Sequence, residues 1–252
     1  MPETDAMPEV AVAPARTWRT VLQHIERLLL DGALGPGDRL PSERDLAAEL
    51  GVGRSSVREA IRVLEVMGLI RTSTGSGPQS GAIVIAAPGG GLSALLRLQV
   101  AAQGFPIADV VGTRLILEQA VVAALAAAED RDTAAVHRIL DAMDADLDPH
   151  DFLALDAQLH LALAEASGNA VVAAMMTGLR DAVESYVLAG SAGIRDWKSM
   201  ADRLRTEHRD IVRAIDGGHA DAAAVLVRDH ITGYYAATGL AGTQTPDRKD
   251  RP

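Results

Sequence analysis

Four side chains in the second half of the chain have the types and spacing of a metal site: Asp156, His160, His208 and His230. Asp156 and His160 are four positions apart in DFLALDAQLHLALAEASG, whose apolar spacing is helical, so both leave one helix face about one turn apart. His208 and His230 flank Gly217-Gly218 at nearly equal remove. A tight turn there makes their helices antiparallel, and at ~1.5 Å per residue the two imidazoles end within roughly 5 Å of the same level. Three nitrogens and one carboxylate suit a divalent metal: zinc first, with nickel or manganese as alternatives. The chain has no cysteine, which excludes disulfides, thiolate sites and cysteine nucleophiles, so any metal must rest on His and carboxylate. Spacing alone leaves a second reading open, in which helical histidines cap helices or face solvent, and that reading is preferred for His24, His137, His150 and His219.

A second constellation lies in the first third. Gly53-Arg54-Ser55-Ser56-Val57-Arg58 offers small polar groups at a helix N-terminus, where free backbone N–H groups favour a phosphate, and two arginines four apart on one face. Arg44, on the preceding helix, is placed to brace a phosphate from the side. Taken singly, these residues have plain structural uses: Arg58 can pair with Glu59 or Glu65, and serines cap helices. Their order over some thirty residues favours a nucleic-acid-reading helix. Charge is distributed accordingly. Residues 16–88 hold nine arginines against eight acidic residues, a balance of +1 that leaves −11 for the remainder of a chain of net charge −10.

The elements that must position these groups follow from periodicity and punctuation. Residues 1–15 and 241–252 read as flexible arm and tail, and APGGG at 87–91 reads as a break that places a linker at 89–92. Residues 16–88 give one helix over 18–30, a second capped by Ser42, a third capped by Ser55 or Ser56, and two short strands at 69–72 and 82–85 around the glycine-rich GSGPQSG. Residues 93–240 are helical nearly throughout, with breaks that yield six or seven helices. The expected fold is mainly α: an N-terminal winged helix-turn-helix of three helices and a small β-wing, joined to an all-α bundle. The longest wholly apolar stretch, 120–128, is too short to span a bilayer, and the N-terminus does not read as a signal peptide, so a cytoplasmic location is expected.

The run LPSERDLAAELGVGRSSVREAIRVLEVMGLI at 40–70 closely resembles the winged-helix signature of the GntR family of regulators. The resemblance implies DNA contact through Arg44, Arg54, Ser55, Ser56 and Arg58, with Gly75 and Gly77 in a wing tip that enters the minor groove. Gly53 stands where some members have a polar residue, and the wing is longer than in many. The segments RLILEQAVVAALAA, DAQLHLALAEASGN, EHRDIVRAI and VRDHI resemble the FCD domain of the FadR branch of that family. That likeness implies a metal held by Asp156, His160, His208 and His230, beside a small organic acid held by Arg114 and, more weakly, Asn169. The expected protein is a homodimeric, ligand-responsive DNA-binding regulator that reads a pseudopalindromic operator; it is not an enzyme and has no membrane partner. Two other readings remain. One is a metal-responsive regulator, and the other a metallohydrolase. Against the hydrolase, no general base is placed: Glu207 leaves its helix about 100° from His208, and Glu165 is five positions past His160.

Overall fold

The computed structural model describes residues 14–73, 81–86, 88–102, 104–191 and 193–239. The chain divides into two compact units, Met1–Gly91 and Leu92–Pro252.

In the first unit, α1 (Pro14–Leu30), α2 (Glu43–Leu50) and α3 (Arg54–Val66) are followed by β1 (Ile70–Ser73) and β2 (Gly81–Val84). Val21 and Ile25 of α1, Leu46 of α2, and Val57, Ala60 and Leu64 of α3 meet in one core, closed below by Ile70 and Val84. Ser42 caps α2 by accepting from the Asp45 amide, and Gly51 ends it in the left-handed region at φ +63, where a side chain would be strained. Helix α3 then opens two or three residues earlier than the serines suggest. Gly53 is its N-cap, and its carbonyl accepts from the Ser56 and Val57 amides at 3.0 and 3.3 Å. That start turns Ser56 inward, where its hydroxyl meets Thr17 Oγ1 at 2.6 Å.

The strands pair antiparallel from Ile70↔Val84 to Ser73↔Gly81. A third segment, missed in the sequence, lies along β2: the Leu40 amide donates to the Ala82 carbonyl at 2.9 Å and the Val84 amide to the Asp38 carbonyl at 2.8 Å. GPGDRLP reads as pure turn, yet Arg39 bridges Ile83 and Leu40 is buried. The glycine-rich tip at 74–80, with Gly75 and Gly77, lies outside the described residues. Leu46 has no solvent exposure, so Leu46→Ala should cost about 2–5 kcal/mol through lost burial and a residual cavity. Hydrogen exchange of the α2 and α3 amides in the full chain should accelerate by the corresponding factor, while the second unit is unchanged.

Seven helices follow among the described residues: α4 (Pro88–Ala101), α5 (Ile107–Ala127), α6 (Ala134–Ala142), α7 (Pro149–Ala166), α8 (Ala170–Ser191), α9 (Trp197–Asp216) and α10 (Ala220–Ala237). The expected linker at 89–92 is helical, because α4 begins at Pro88. Proline suits a first helical turn, and Gly91 is needed for close approach: a Cβ there would lie 2.7 Å from the Met67 backbone. Helix α5 is long and apolar enough to cross a membrane by composition, with a mean hydropathy of 1.6. It is instead the central core helix, packed by α7, α8, α9 and α10, and it buries Arg114 and Glu118. Helices α9 and α10 form the hairpin expected around Gly217-Gly218, with Gly218 at φ +73. Phe152, Leu159, Leu204, Ile211, Ile215 and Val227 fill the space between α7 and this hairpin.

Candidate functional site

Three helices bring the four expected ligands to one point. Asp156 and His160 come from α7, His208 from α9 and His230 from α10, and one ligand atom from each lies within 4.8 Å of all the others. The Nε2 atoms of His208 and His230 are 3.2 Å apart, and those of His160 and His230 3.3 Å. Asp156 Oδ1 is 3.0 Å from His208 Nε2. All three imidazoles are buried, and the Asp156 side chain keeps 19 % of its exposure.

What faces the far sides of the rings decides what the centre can hold. His160 Nδ1 meets Glu118 Oε2 at 2.5 Å, and His230 Nδ1 meets Glu207 Oε2 at 2.8 Å. Each carboxylate is braced by an arginine on its own helix: Arg114 Nη2 to Glu118 Oε1 at 2.7 Å, and Arg203 Nε to Glu207 Oε1 at 3.2 Å. A carboxylate on Nδ1 takes the proton there and leaves the Nε2 lone pair pointing inward. Two inward lone pairs 3.3 Å apart, beside a carboxylate, repel one another unless a shared cation lies between them. The donor set therefore fits a divalent metal, with Asp156, His160, His208 and His230 holding it and open positions left for a ligand.

The electrostatics agree. Burial pushes the Asp156 carboxyl up, but the His208 hydrogen bond and the three imidazoles outweigh it and hold it well below the usual carboxylate range. Glu118 is likewise raised by burial and pulled down, chiefly by His160 and Arg114, to about 2. Burial and the neighbouring His230 depress His208 to about 4, so it is a neutral donor at physiological pH. In His160 burial is outweighed by Glu118, and its pKa is raised; a metal must displace that proton, so binding will release it.

Glu118 and Glu207 are functional residues the sequence reading did not assign. In the sequence Glu118 stands four positions after Arg114, the spacing of a plain intrahelical pair, and Glu207 enters only as a misplaced general base. The rule that a ligating histidine needs an acceptor on its other nitrogen was the available signal. Glu118→Gln and Glu207→Gln should each weaken metal binding about 10–100-fold, measured by competition with a chromophoric chelator, with the fold retained.

Two clefts open beside the centre. One of about 310 Å³ is lined by His160, His230, Tyr234 and Tyr235; the other, about 470 Å³, is lined by Arg180, Leu153, Ala157 and Leu188; Arg114, Asp156 and Val187 line both. Arg114 reaches the site as expected, with three of its five N–H donors engaged. Nε and Nη2 bind Glu118 at 3.0 and 2.7 Å, and Nη1 binds the Tyr235 hydroxyl at 3.1 Å. Asn169 does not reach either cleft. Its Oδ1 caps α8, accepting from the Val171 and Val172 amides at 3.1 and 3.2 Å.

In the first unit, Arg54, Ser55 and Arg58 are exposed on one stretch of α3, with Arg62 one turn further on. Ser55, Arg58 and Arg62 line an open groove there. Arg62 was missed in the sequence, although its i+4 spacing from Arg58 marked it. Arg58 leans on Glu43 at 3.4 Å and Arg44 on Asp45 at 3.3 Å, exposed pairs that contribute little and yield readily to a phosphate. Ser56, expected among the contacts, is buried against Thr17 by the early start of α3.

Comparison with known proteins agrees with both halves. Residues 17–78 match the model of the bacterial regulatory proteins of the gntR family, and residues 109–233 that of the FCD domain. The chain is 32% identical over 224 residues to the HTH-type transcriptional regulator LutR of Bacillus subtilis, covering 82% of this chain and 98% of that protein. It is 29% identical over 240 residues to the HTH-type transcriptional repressor NanR of Citrobacter rodentium, covering 91% and 88%. It is 28% identical over 218 residues to the Glc operon transcriptional activator of Escherichia coli K12, covering 84% of each. A solved structure of Streptococcus agalactiae GntR shares the fold, with a TM-score of 0.62 at 22% identity over 87% of this chain and 99% of that one. The chain thus belongs to the gntR family of bacterial regulatory proteins, as a DNA-binding transcriptional regulator, not an enzyme, whose helical body is an FCD effector domain.

Proposed function

We propose that the protein is a homodimeric cytoplasmic regulator that reads a pseudopalindromic operator and changes its affinity when a small organic acid binds beside a zinc ion. The observation that carries this reading is the convergence of three imidazoles, two of them backed by carboxylates, and one carboxylate at the edge of two clefts. Zinc is favoured by the N₃O donor set in a site with room for further ligands; nickel and manganese are the alternatives. DNA contact is assigned to Arg44, Arg54, Ser55 and Arg58, with Gly75 and Gly77 at the wing tip, while Ser56 supports α3 from inside. Arg114 holds Glu118 and Tyr235 in place instead of gripping the effector alone. A second copy has surface to cover: Leu98 of α4 and Ile116 of α5 are 64% and 70% exposed.

The test begins with selection of a preferred site from random duplex DNA by the full zinc-loaded chain. Binding to the selected site should be salt-steep, two-fold symmetric and altered by small carboxylates. Equal affinity for all duplexes at every carboxylate concentration would exclude the reading. The metal-responsive alternative has its own support, since the four ligands and the carboxylates behind them join α5, α7, α9 and α10 into one network. It predicts that metal alone changes operator affinity.

A further inference from the structure

The larger cleft contains a cation that the metal centre does not use. Arg180 of α8 is half-buried and lines this cleft with Leu153, Ala157 and Leu188. Among the described residues its guanidinium makes no hydrogen bond or ion pair. Glu184, one turn further on, is exposed and stays beyond ion-pair distance. Burial lowers the Arg180 pKa, only partly offset by the charges of Glu184, Asp181 and Asp156. A half-buried guanidinium that no described carboxylate grips directly contributes little to the fold and can receive an anion, since its planar fork matches a carboxylate. Arg114, by contrast, already pairs with Glu118 through two donors and with Tyr235 through a third.

These groups line different clefts that share a boundary. His160 and His230 line only the smaller one and Arg180 only the larger, with Asp156, Arg114 and Val187 forming the shared boundary. We infer that Arg180 is a second anchor, which receives the remote carboxylate of an effector whose first acidic end sits at the metal, so that the favoured class is a hydroxy or keto acid with two separated carboxylates. The apolar Leu153, Ala157 and Leu188 walls accommodate the short carbon chain between them. This inference rests on the metal-anchored effector site proposed above and adds to it a choice among acids.

Malate and lactate are suitable probes because both present an α-hydroxycarboxylate to a metal and only malate carries a second carboxylate. Calorimetric titration of the full zinc-loaded chain should show malate binding about tenfold or more tighter than lactate, the difference expected for one charge-assisted fork. In Arg180→Gln that preference should collapse towards one while lactate affinity is unchanged, and Arg180→Lys should keep part of it. The ligand-free melting temperature of both variants should match that of the unsubstituted protein. A wild-type ratio near one, no binding of either acid, or a preference that survives Arg180→Gln overturns the inference. His160→Ala separates the two claims: retention of both acids there overturns the metal-anchored site, whereas loss of both there with an unaltered preference in Arg180→Gln overturns the second anchor alone.

Discussion

Chelation should lower the melting temperature of the unsubstituted protein by on the order of 10 °C and leave His208→Ala unmoved. A ligand that binds only the folded state stabilises it by about 4 kcal/mol when present at a thousand times its dissociation constant, and in a unit of this size each kcal/mol shifts the midpoint by about 2–4 °C. His208 is 1 % exposed and donates from the centre of the cluster, 3.2 Å from His230 Nε2 and 3.0 Å from Asp156 Oδ1. Its removal takes one of three nitrogens and opens a small cavity, so the variant should start near the melting temperature of the chelated protein and should purify without stoichiometric metal. Scanning calorimetry with and without chelator reads both effects. An equal fall in the two proteins would mean that chelation acts elsewhere.

Arg54→Ala and Arg58→Ala should each weaken binding to the selected operator by about ten- to a hundredfold, corresponding to ~1–3 kcal/mol per base or phosphate contact. Both side chains are exposed on α3 and contribute nothing to its core face, which is Val57, Ala60, Ile61 and Leu64. Circular dichroism should therefore be unchanged. If Arg58 contacts phosphate, its loss also reduces the slope of log affinity against log salt by about one. Fluorescence anisotropy at several salt concentrations distinguishes the two contributions. Ser56→Ala is the contrasting case. Its hydroxyl is bonded to Thr17, so that variant should reduce the stability of the first unit and leave operator affinity per folded molecule intact.

The two halves of the metal quartet were legible because each rests on local geometry, and the resemblance to the FCD domain joined them. Asp156 and His160 depend only on the pitch of α7, and His208 and His230 on a hairpin marked by two glycines. The carboxylates behind the rings were not legible in the same way. Glu118 reaches His160 only because α5 packs on α7, and Glu207 turns to His230 across the α9–α10 interface, relations that no helical period encodes. Arg114 was found by position, but its bond to the Tyr235 hydroxyl was not, since Tyr235 lies 121 residues away. Arg180 carries no sequence signal beyond being a lone arginine in an apolar helix.

Small residues caused the other departures. The glycines after Pro88 read as a helix breaker, but Gly91 is there so that one backbone can approach Met67. Gly53 caps α3 through its carbonyl, which moves the helix start and rotates Ser56 out of the DNA-facing set. The strand-like path of Arg39 and Leu40 is fixed by pairing with β2 and not by any propensity of GPGDRLP.

Extended X-ray absorption at the zinc edge of the full chain reads the metal's ligands directly. The centre built on Asp156, His160, His208 and His230 predicts three imidazole nitrogens and at least one oxygen at about 2.0–2.2 Å, with the multiple-scattering pattern of ring ligands, and a stoichiometric zinc signal that His208→Ala loses. A spectrum of oxygen ligands alone, or one with three rings that His208→Ala leaves unaltered, would contradict it.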